Sequence, residues 1–165
     1  MKNMPNMQRN KEIGSEFWFD FEPKDIACNS QETLVLSGRT AIDVIIKDIL
    51  KTRKTRNVYL PAYCCDSMID PFVRNGIDVK LYDIDFDGGL QYLIDENTET
   101  DIFYVNNYFG YENTISNNII EHFKHKGAII IYDKTHSLFM TNDVTDALAD
   151  YTFASIRKWI GVVCG

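Results

Sequence analysis

The sequence contains a continuous apolar run, Ala128-Ile129-Ile130-Ile131-Tyr132, which ends at Asp133. Runs without a polar interruption are typical of strands that are buried on both faces of a parallel sheet. A helical pattern over residues 115–126, closed by Gly127, precedes this run, and a second strand pattern over residues 150–154 follows it. These patterns predict a buried central strand with a helix before it and another strand after it.

The same alternation extends toward the N-terminus. Hydrophobic residues recur at helical spacing over residues 41–50 and again over residues 64–75, where Asn75-Gly76 closes the helix. Strands are predicted at residues 57–60, 79–84 and 101–105. The alternation predicts an α/β fold, a three-layer sandwich built on a mainly parallel sheet. Residues 1–12 are polar, and we expect them to form a flexible N-terminus.

Composition narrows the functional classes. The 165 residues are 45% hydrophobic and 25% charged, as is typical of a globular domain. The net charge is -7 and no basic stripe interleaves with aromatics, so we expect no nucleic-acid partner. No stretch reaches the roughly 20 apolar residues that cross a bilayer, and residues 1–5 lack the core of a signal peptide. We therefore expect no membrane partner and a cytoplasmic location. The four cysteines lack metal-site spacing and are expected to be reduced thiols.

Three polar groups follow predicted strands, where open α/β sheets bind ligands. They are Ser37-Gly38-Arg39-Thr40, Asp133 and Ser155-Ile156-Arg157-Lys158. Each group also has a purely structural interpretation. Ser37 or Thr40 could cap the following helix, Asp133 could cap a helix, and a lysine beside a tryptophan is commonly a surface residue. The glycine spacing matches neither a P-loop nor a dinucleotide fingerprint, which disfavours a nucleotide-binding domain.

Together, the three groups match the needs of pyridoxal 5'-phosphate (PLP). Its phosphate is held by helix N-terminal amides and hydroxyls, which Gly38-Arg39-Thr40 could supply together with Ser155. Its ring nitrogen needs a carboxylate partner, and its aldehyde needs a lysine to form a Schiff base. Asp133 could supply the carboxylate and Lys158 the amine.

Five motifs occur in order along the chain. They are Leu36-Ser37-Gly38-Arg39-Thr40-Ala41, Leu60-Pro61-Ala62-Tyr63-Cys64 followed by Gly76-Ile77-Asp78-Val79, Tyr104-Val105-Asn106-Asn107-Tyr108-Phe109-Gly110, Tyr132-Asp133-Lys134-Thr135-His136, and Phe153-Ala154-Ser155-Ile156-Arg157-Lys158-Trp159. In this order they resemble the DegT/DnrJ/StrS family of PLP-dependent, fold-type-I sugar aminotransferases, whose lysine motif has a Ser-x-x-Lys-Trp variant. The resemblance implies that residues 13–165 are part of a PLP-binding large domain.

The resemblance also implies a role for each site residue. Lys158 would bind the cofactor aldehyde and then move a proton between the substrate carbon and C4', while Asp133 would pair with the ring nitrogen. His136 would lie against the ring or its 3-oxygen, although it could instead cap a helix or lie on the surface. The family stacks an aromatic residue on the ring. Tyr63 is the candidate, Cys65 is the alternative, and Tyr63 could equally be a core residue.

The resemblance further implies a transaminase that acts on a keto sugar, often nucleotide-linked, with an amino donor such as glutamate. Family members work as homodimers with the active site at the subunit boundary. A sugar dehydratase that uses PLP or pyridoxamine phosphate is a rival, but that branch commonly has histidine in place of Lys158. A non-catalytic remnant of such an enzyme is a second rival interpretation. It is suggested because the sequence ends at Gly165, seven residues after Lys158, without the family's C-terminal domain. We therefore expect an isolated chain that is poorly soluble or inactive.

Overall fold

The structure is a computed structural model that describes residues 32–110, 115–139 and 144–160. The predictions for residues 1–12, Cys28 and Cys164 lie outside the described residues. Six strands in these ranges form one sheet: β1 (Asn57–Pro61), β2 (Asp78–Asp85), β3 (Gln91–Leu93), β4 (Ile102–Asn106), β5 (Ile129–Asp133) and β6 (Tyr151–Phe153). Their order across the sheet is β3-β2-β1-β4-β5-β6.

Four α-helices connect these strands within the described ranges: α1 (Gly38–Thr52), α2 (Asp66–Arg74), α3 (Asn117–His125) and α4 (Val144–Leu148). Short 3-10 helices occupy Tyr108–Gly110 and Ile156–Lys158. The predicted helices and strands are all present, with bounds that differ by a few residues. The strand β3 and the helix α4 were not predicted, because three to five residues are too few to display a period.

The sheet is parallel except at one edge. The strand β1 pairs in parallel with β2 and β4, and the parallel pairing continues through β5 to β6. The edge strand β3 pairs antiparallel with β2. The predicted mainly parallel sheet is therefore confirmed. All five parallel strands end at the same edge of the sheet, and polar residues that follow those ends are brought close together.

The core lies on both faces of the sheet, because successive residues of a strand point to opposite sides. One face packs against α1 and α2 and buries, among others, Val58, Leu60, Ile102, Tyr104 and Ile131. The other face packs against α3 and buries, among others, Tyr59, Phe103, Val105, Ile130 and Tyr132. Alternate residues of β1, β4 and β5 thus serve different layers, which explains why these strands are apolar throughout. The arrangement is the predicted three-layer sandwich.

The helix α1 is fixed in position at both its face and its end. Four isoleucines at helical spacing form its buried face: Ile42, Ile45, Ile46 and Ile49. Ser37 is the N-cap, and its Oγ accepts a hydrogen bond from the Thr40 amide at 3.2 Å. A Cβ atom on Gly38 would lie 3.7 Å from side-chain atoms of Phe153 and of Ser155. The N-terminus of α1 therefore lies against the segment that follows β6.

No helix within residues 32–110, 115–139 and 144–160 combines the length and the apolar character that crossing a membrane requires.

Truncation of a buried residue of α1 tests this core. Ile46 is 0% exposed, so Ile46→Ala should lower the free energy of unfolding by about 2–5 kcal/mol. Val44 lies on the same helix and is 47% exposed, so Val44→Ala should change it by less than about 0.5 kcal/mol. Urea unfolding followed by circular dichroism measures both. Equal losses in the two variants would contradict the assigned face of α1.

Candidate active site

A cavity of about 510 Å³ opens at the edge where the parallel strands end. Five segments contribute to its wall: the N-terminus of α1, the residues after β1, the end of β4, the turn after β5 and the residues after β6. The carboxyl ends of parallel strands are the usual ligand-binding edge of open α/β sheets. The fold therefore places this cavity where chemistry is expected.

The cavity brings together all but one of the residues that were predicted as site residues. Those that line it are Gly38, Arg39, Tyr63, Asp133, His136, Ser155 and Lys158. Thr40 is not among the lining residues, and its hydroxyl lies 3.1 Å from Ser37 Oγ. Ser37 lines the cavity in its place. The geometry establishes that these residues are neighbours, while their chemical roles remain predictions.

The N-terminus of α1 directs backbone donors toward the cavity wall. Because Ser37 caps the Thr40 amide, the amides of Gly38 and Arg39 remain in the first turn without an intrahelical acceptor. Helix dipoles concentrate a partial positive charge at this end. The side chain of Arg39 is exposed and adds a full positive charge. This corner of the cavity therefore suits an anion.

Asp133 ends β5 and is only 5% exposed. Its Oδ1 accepts a hydrogen bond from the Thr135 amide at 2.8 Å, and its Oδ2 accepts one from the Tyr104 hydroxyl at 2.8 Å. Burial raises the pKa of Tyr104 well above its ordinary value, and the nearby Asp133 carboxylate raises it further. The hydroxyl therefore stays protonated and acts as the donor. Both carboxylate oxygens are oriented by the protein.

His136 is half-buried and interacts electrostatically with two charged groups, Lys158 and Asp133. The Phe109 amide donates to its Nδ1 at 3.2 Å, so the neutral imidazole carries its proton on Nε2. The Phe109 ring stacks on the imidazole with centroids 5.5 Å apart, and Phe109 has a left-handed φ of 59°. Burial, then the Lys158 ammonium, lower the pKa of His136, while the Asp133 carboxylate raises it. The role of His136 stays a prediction.

The segment after β6 is connected to the turn after β5 through Thr135. The Ser155 amide donates to Thr135 Oγ1 at 3.0 Å, and the Trp159 indole donates to the Thr135 carbonyl. Lys158 follows Ser155 in the short 3-10 helix, and its side chain is exposed to the cavity. These contacts hold the lysine next to the turn that carries Asp133 and His136.

Tyr63 lies at the mouth of the cavity and is 57% exposed, so it is not the core residue that was one of the alternatives. Its ring contacts those of Tyr108 and Phe109 at 5.5 and 6.5 Å between centroids. Cys65 lines the cavity as well and carries a free thiol. The choice between Tyr63 and Cys65 as the stacking residue therefore remains open.

Asn106 was given no role from the sequence, yet it lines the cavity and is 4% exposed. It lies opposite Asp133 in the register of β4 and β5. Within the described part of the chain its Oδ1 has no hydrogen-bond partner, whereas its amide side chain hydrogen-bonds to Tyr108. Asn106 could have been identified from the sequence as a polar residue at the end of an otherwise apolar strand. The same pattern identified Asp133.

Comparison with known proteins identifies the fold. No family model and no curated protein matches the sequence. The PLP-bound C-S lyase from Staphylococcus hominis is 17% identical with a TM-score of 0.54, over 80% of this chain and 39% of the lyase. Aminotransferase AspB from Helicobacter pylori is 16% identical with a TM-score of 0.56, over 76% and 38%. Cystalysin from Treponema denticola, which contains pyridoxal 5'-phosphate, is 13% identical with a TM-score of 0.51, over 79% and 39%.

These matches establish that the chain has the fold of PLP-dependent aminotransferases and lyases. The chain spans about two fifths of the length of these solved structures. Sequence identities of 13–17% establish the fold alone. None of the three structures is described as a sugar aminotransferase.

The titration of His136 tests whether Lys158 and Asp133 share one site. Lys158→Met removes a positive charge and should raise the pKa of His136, whereas Asp133→Asn removes a negative charge and should lower it. Titration of the imidazole C–H resonances by NMR measures both variants in the absence of any ligand. Shifts of the same sign, or no shift in either variant, would show that the imidazole does not interact with both charges.

Proposed function

We propose that this chain is part of a PLP-dependent aminotransferase, in which Lys158 binds the cofactor aldehyde and Asp133 binds the ring nitrogen. The main support is that a lysine, a buried carboxylate and an anion-binding helix N-terminus line one cavity. The fold shared with a PLP-bound lyase and an aminotransferase adds to this support. Each of the three groups alone has a structural explanation. Their presence together in one cavity has none.

The donor set of the cavity fits PLP. The first-turn amides of Gly38 and Arg39, with the Arg39 side chain and the Ser155 hydroxyl, suit a phosphate dianion. Asp133 suits a protonated pyridine nitrogen. The buried Asn106 oxygen, which has no partner among the described residues, leaves a polar group in the same wall for a ligand to satisfy. When bound, PLP supplies an electron-withdrawing ring that stabilises negative charge on the carbon next to the reacting nitrogen.

The residues of the chain would divide the remaining work between them. The Lys158 amine would carry the proton between the substrate carbon and C4' of the cofactor. His136, which presents its Nε2–H when neutral, would contact the ring or its 3-oxygen. Tyr63 or Cys65 would cover the ring from the mouth of the cavity. The Thr40 hydroxyl could donate to the phosphate while it accepts a hydrogen bond from the Ser37 hydroxyl, which lies 3.1 Å away.

A keto sugar, including a nucleotide-linked one, is the proposed amino acceptor, with an amino acid such as glutamate as the donor. The five-motif resemblance to the DegT/DnrJ/StrS family supports this choice, as does the expectation of a homodimer. Tyr63 lines the cavity, and its ring contacts the exposed rings of Phe86 and Phe109. These rings offer apolar surface for the face of a sugar ring. Arg157 adds a cation for a carboxylate or phosphate. Lys158 in the cavity weighs against a sugar dehydratase.

Reduction of the PLP complex tests the proposal. Adding PLP to the protein should produce a visible absorption band that borohydride abolishes, and Lys158→Ala should lose this band. Lys51→Ala is the matched control, because Lys51 is exposed at the far end of α1 and should keep the band. A band of equal strength in Lys158→Ala would overturn the assignment of Lys158, and the absence of any band in the unmodified protein would overturn the proposed function.

A further inference from the structure

Tyr104 places a hydroxyl against Asp133 from inside the core. The residue lies on β4 and is 0% exposed. Its hydroxyl donates to Asp133 Oδ2 at 2.8 Å, while the Thr135 amide donates to the other oxygen. Tyr104 donates from the strand β4, whereas Thr135 donates from the turn after β5. Rotation of the carboxylate would therefore break at least one of these hydrogen bonds.

Tyr104 is itself held firmly. Its backbone lies within the sheet, in register with Ile131 of β5. Its ring packs edge-on against Phe72 of α2 and Phe153 of β6, with centroids 6.2 Å away in each case. The hydroxyl therefore has little freedom to follow Asp133 if the carboxylate moves, and the position of the carboxylate is set by the sheet.

Packing alone does not account for a tyrosine at this position. Its neighbours on the same face, such as Leu60, Ile102 and Ile131, are apolar, and phenylalanine would fill the same volume. A buried hydroxyl is costly unless it finds a partner. The partner is Asp133, whose carboxylate is the only one among the described residues that line the cavity, and the hydroxyl stays protonated because burial raises its pKa.

We propose that Tyr104 is a positioning residue, whose hydroxyl fixes the Asp133 carboxylate in the orientation that receives the ring nitrogen of the cofactor. This inference rests on the proposed function. Among the described residues, one donor reaches each oxygen of Asp133, and each oxygen has a further lone pair for a ligand N–H. Tyr104 acts only through Asp133 and does not touch the ligand.

The experiment compares two probes that differ at one ring atom. One is PLP, and the other is its 1-deaza analogue, which has carbon in place of the ring nitrogen. Dissociation constants for both are measured by absorbance in the unmodified protein, in Tyr104→Phe and in Tyr82→Phe. Tyr82→Phe is the matched control, because it loses an equally buried hydroxyl and a hydrogen bond to the Tyr104 carbonyl without touching Asp133.

Tyr104→Phe should weaken PLP binding about tenfold and binding of the deaza analogue by less than about twofold, because only PLP pairs with Asp133. Tyr82→Phe should leave the ratio of the two affinities unchanged. Both dissociation constants are measured on the same variant. A loss of folded protein therefore affects both probes equally and does not change the ratio of the two constants.

Equal weakening of both probes in Tyr104→Phe, or no weakening of either, would overturn the inference and leave the proposed function intact. Failure of the unmodified protein to bind PLP would instead overturn the proposed function, and with it this role for Tyr104.

Discussion

The parallel pairing of β5 with its neighbours β4 and β6 is the constraint on which the cavity depends. The pairing sets Asn106 opposite Asp133 and Asp133 opposite Phe153, so the ends of three strands meet at one edge. Polar groups far apart in the chain then become neighbours. A shift of one residue in this register would turn Asp133 toward the opposite layer, because successive side chains alternate between faces.

The burial of β5 on both faces is what makes this register secure. Ile130 and Tyr132 fill one layer and Ile131 fills the other, and all three are 0% exposed. Hydrophobic burial therefore fixes the position of the carboxylate, while the Tyr104 hydroxyl and the Thr135 amide fix its orientation. Thr135 also binds the Ser155 amide, so the same turn orients the carboxylate and locates the lysine segment. Packing energy and site geometry are thus linked through a few residues.

Periodicity predicted the sheet and the long helices because burial imposes it directly on the sequence. The apolar run that ends at Asp133 and the isoleucines of α1 are examples. The same logic located most of the cavity wall, since residues that follow parallel strands must meet. Contacts that depend on the register between strands left no local signal, and the bond from Tyr104 to Asp133 is such a contact. The pairing of Thr40 with Ser37 was equally hidden, because either residue could have been the cap.

The central claim is that one cavity holds a lysine and a carboxylate for a single PLP molecule, and peptide mapping tests it most directly. The protein is saturated with PLP, reduced with borohydride and digested, and the labelled peptides are identified by mass spectrometry. The account predicts that the phosphopyridoxyl label is on Lys158. A label spread over exposed lysines such as Lys47 and Lys51, with none on Lys158, would contradict it.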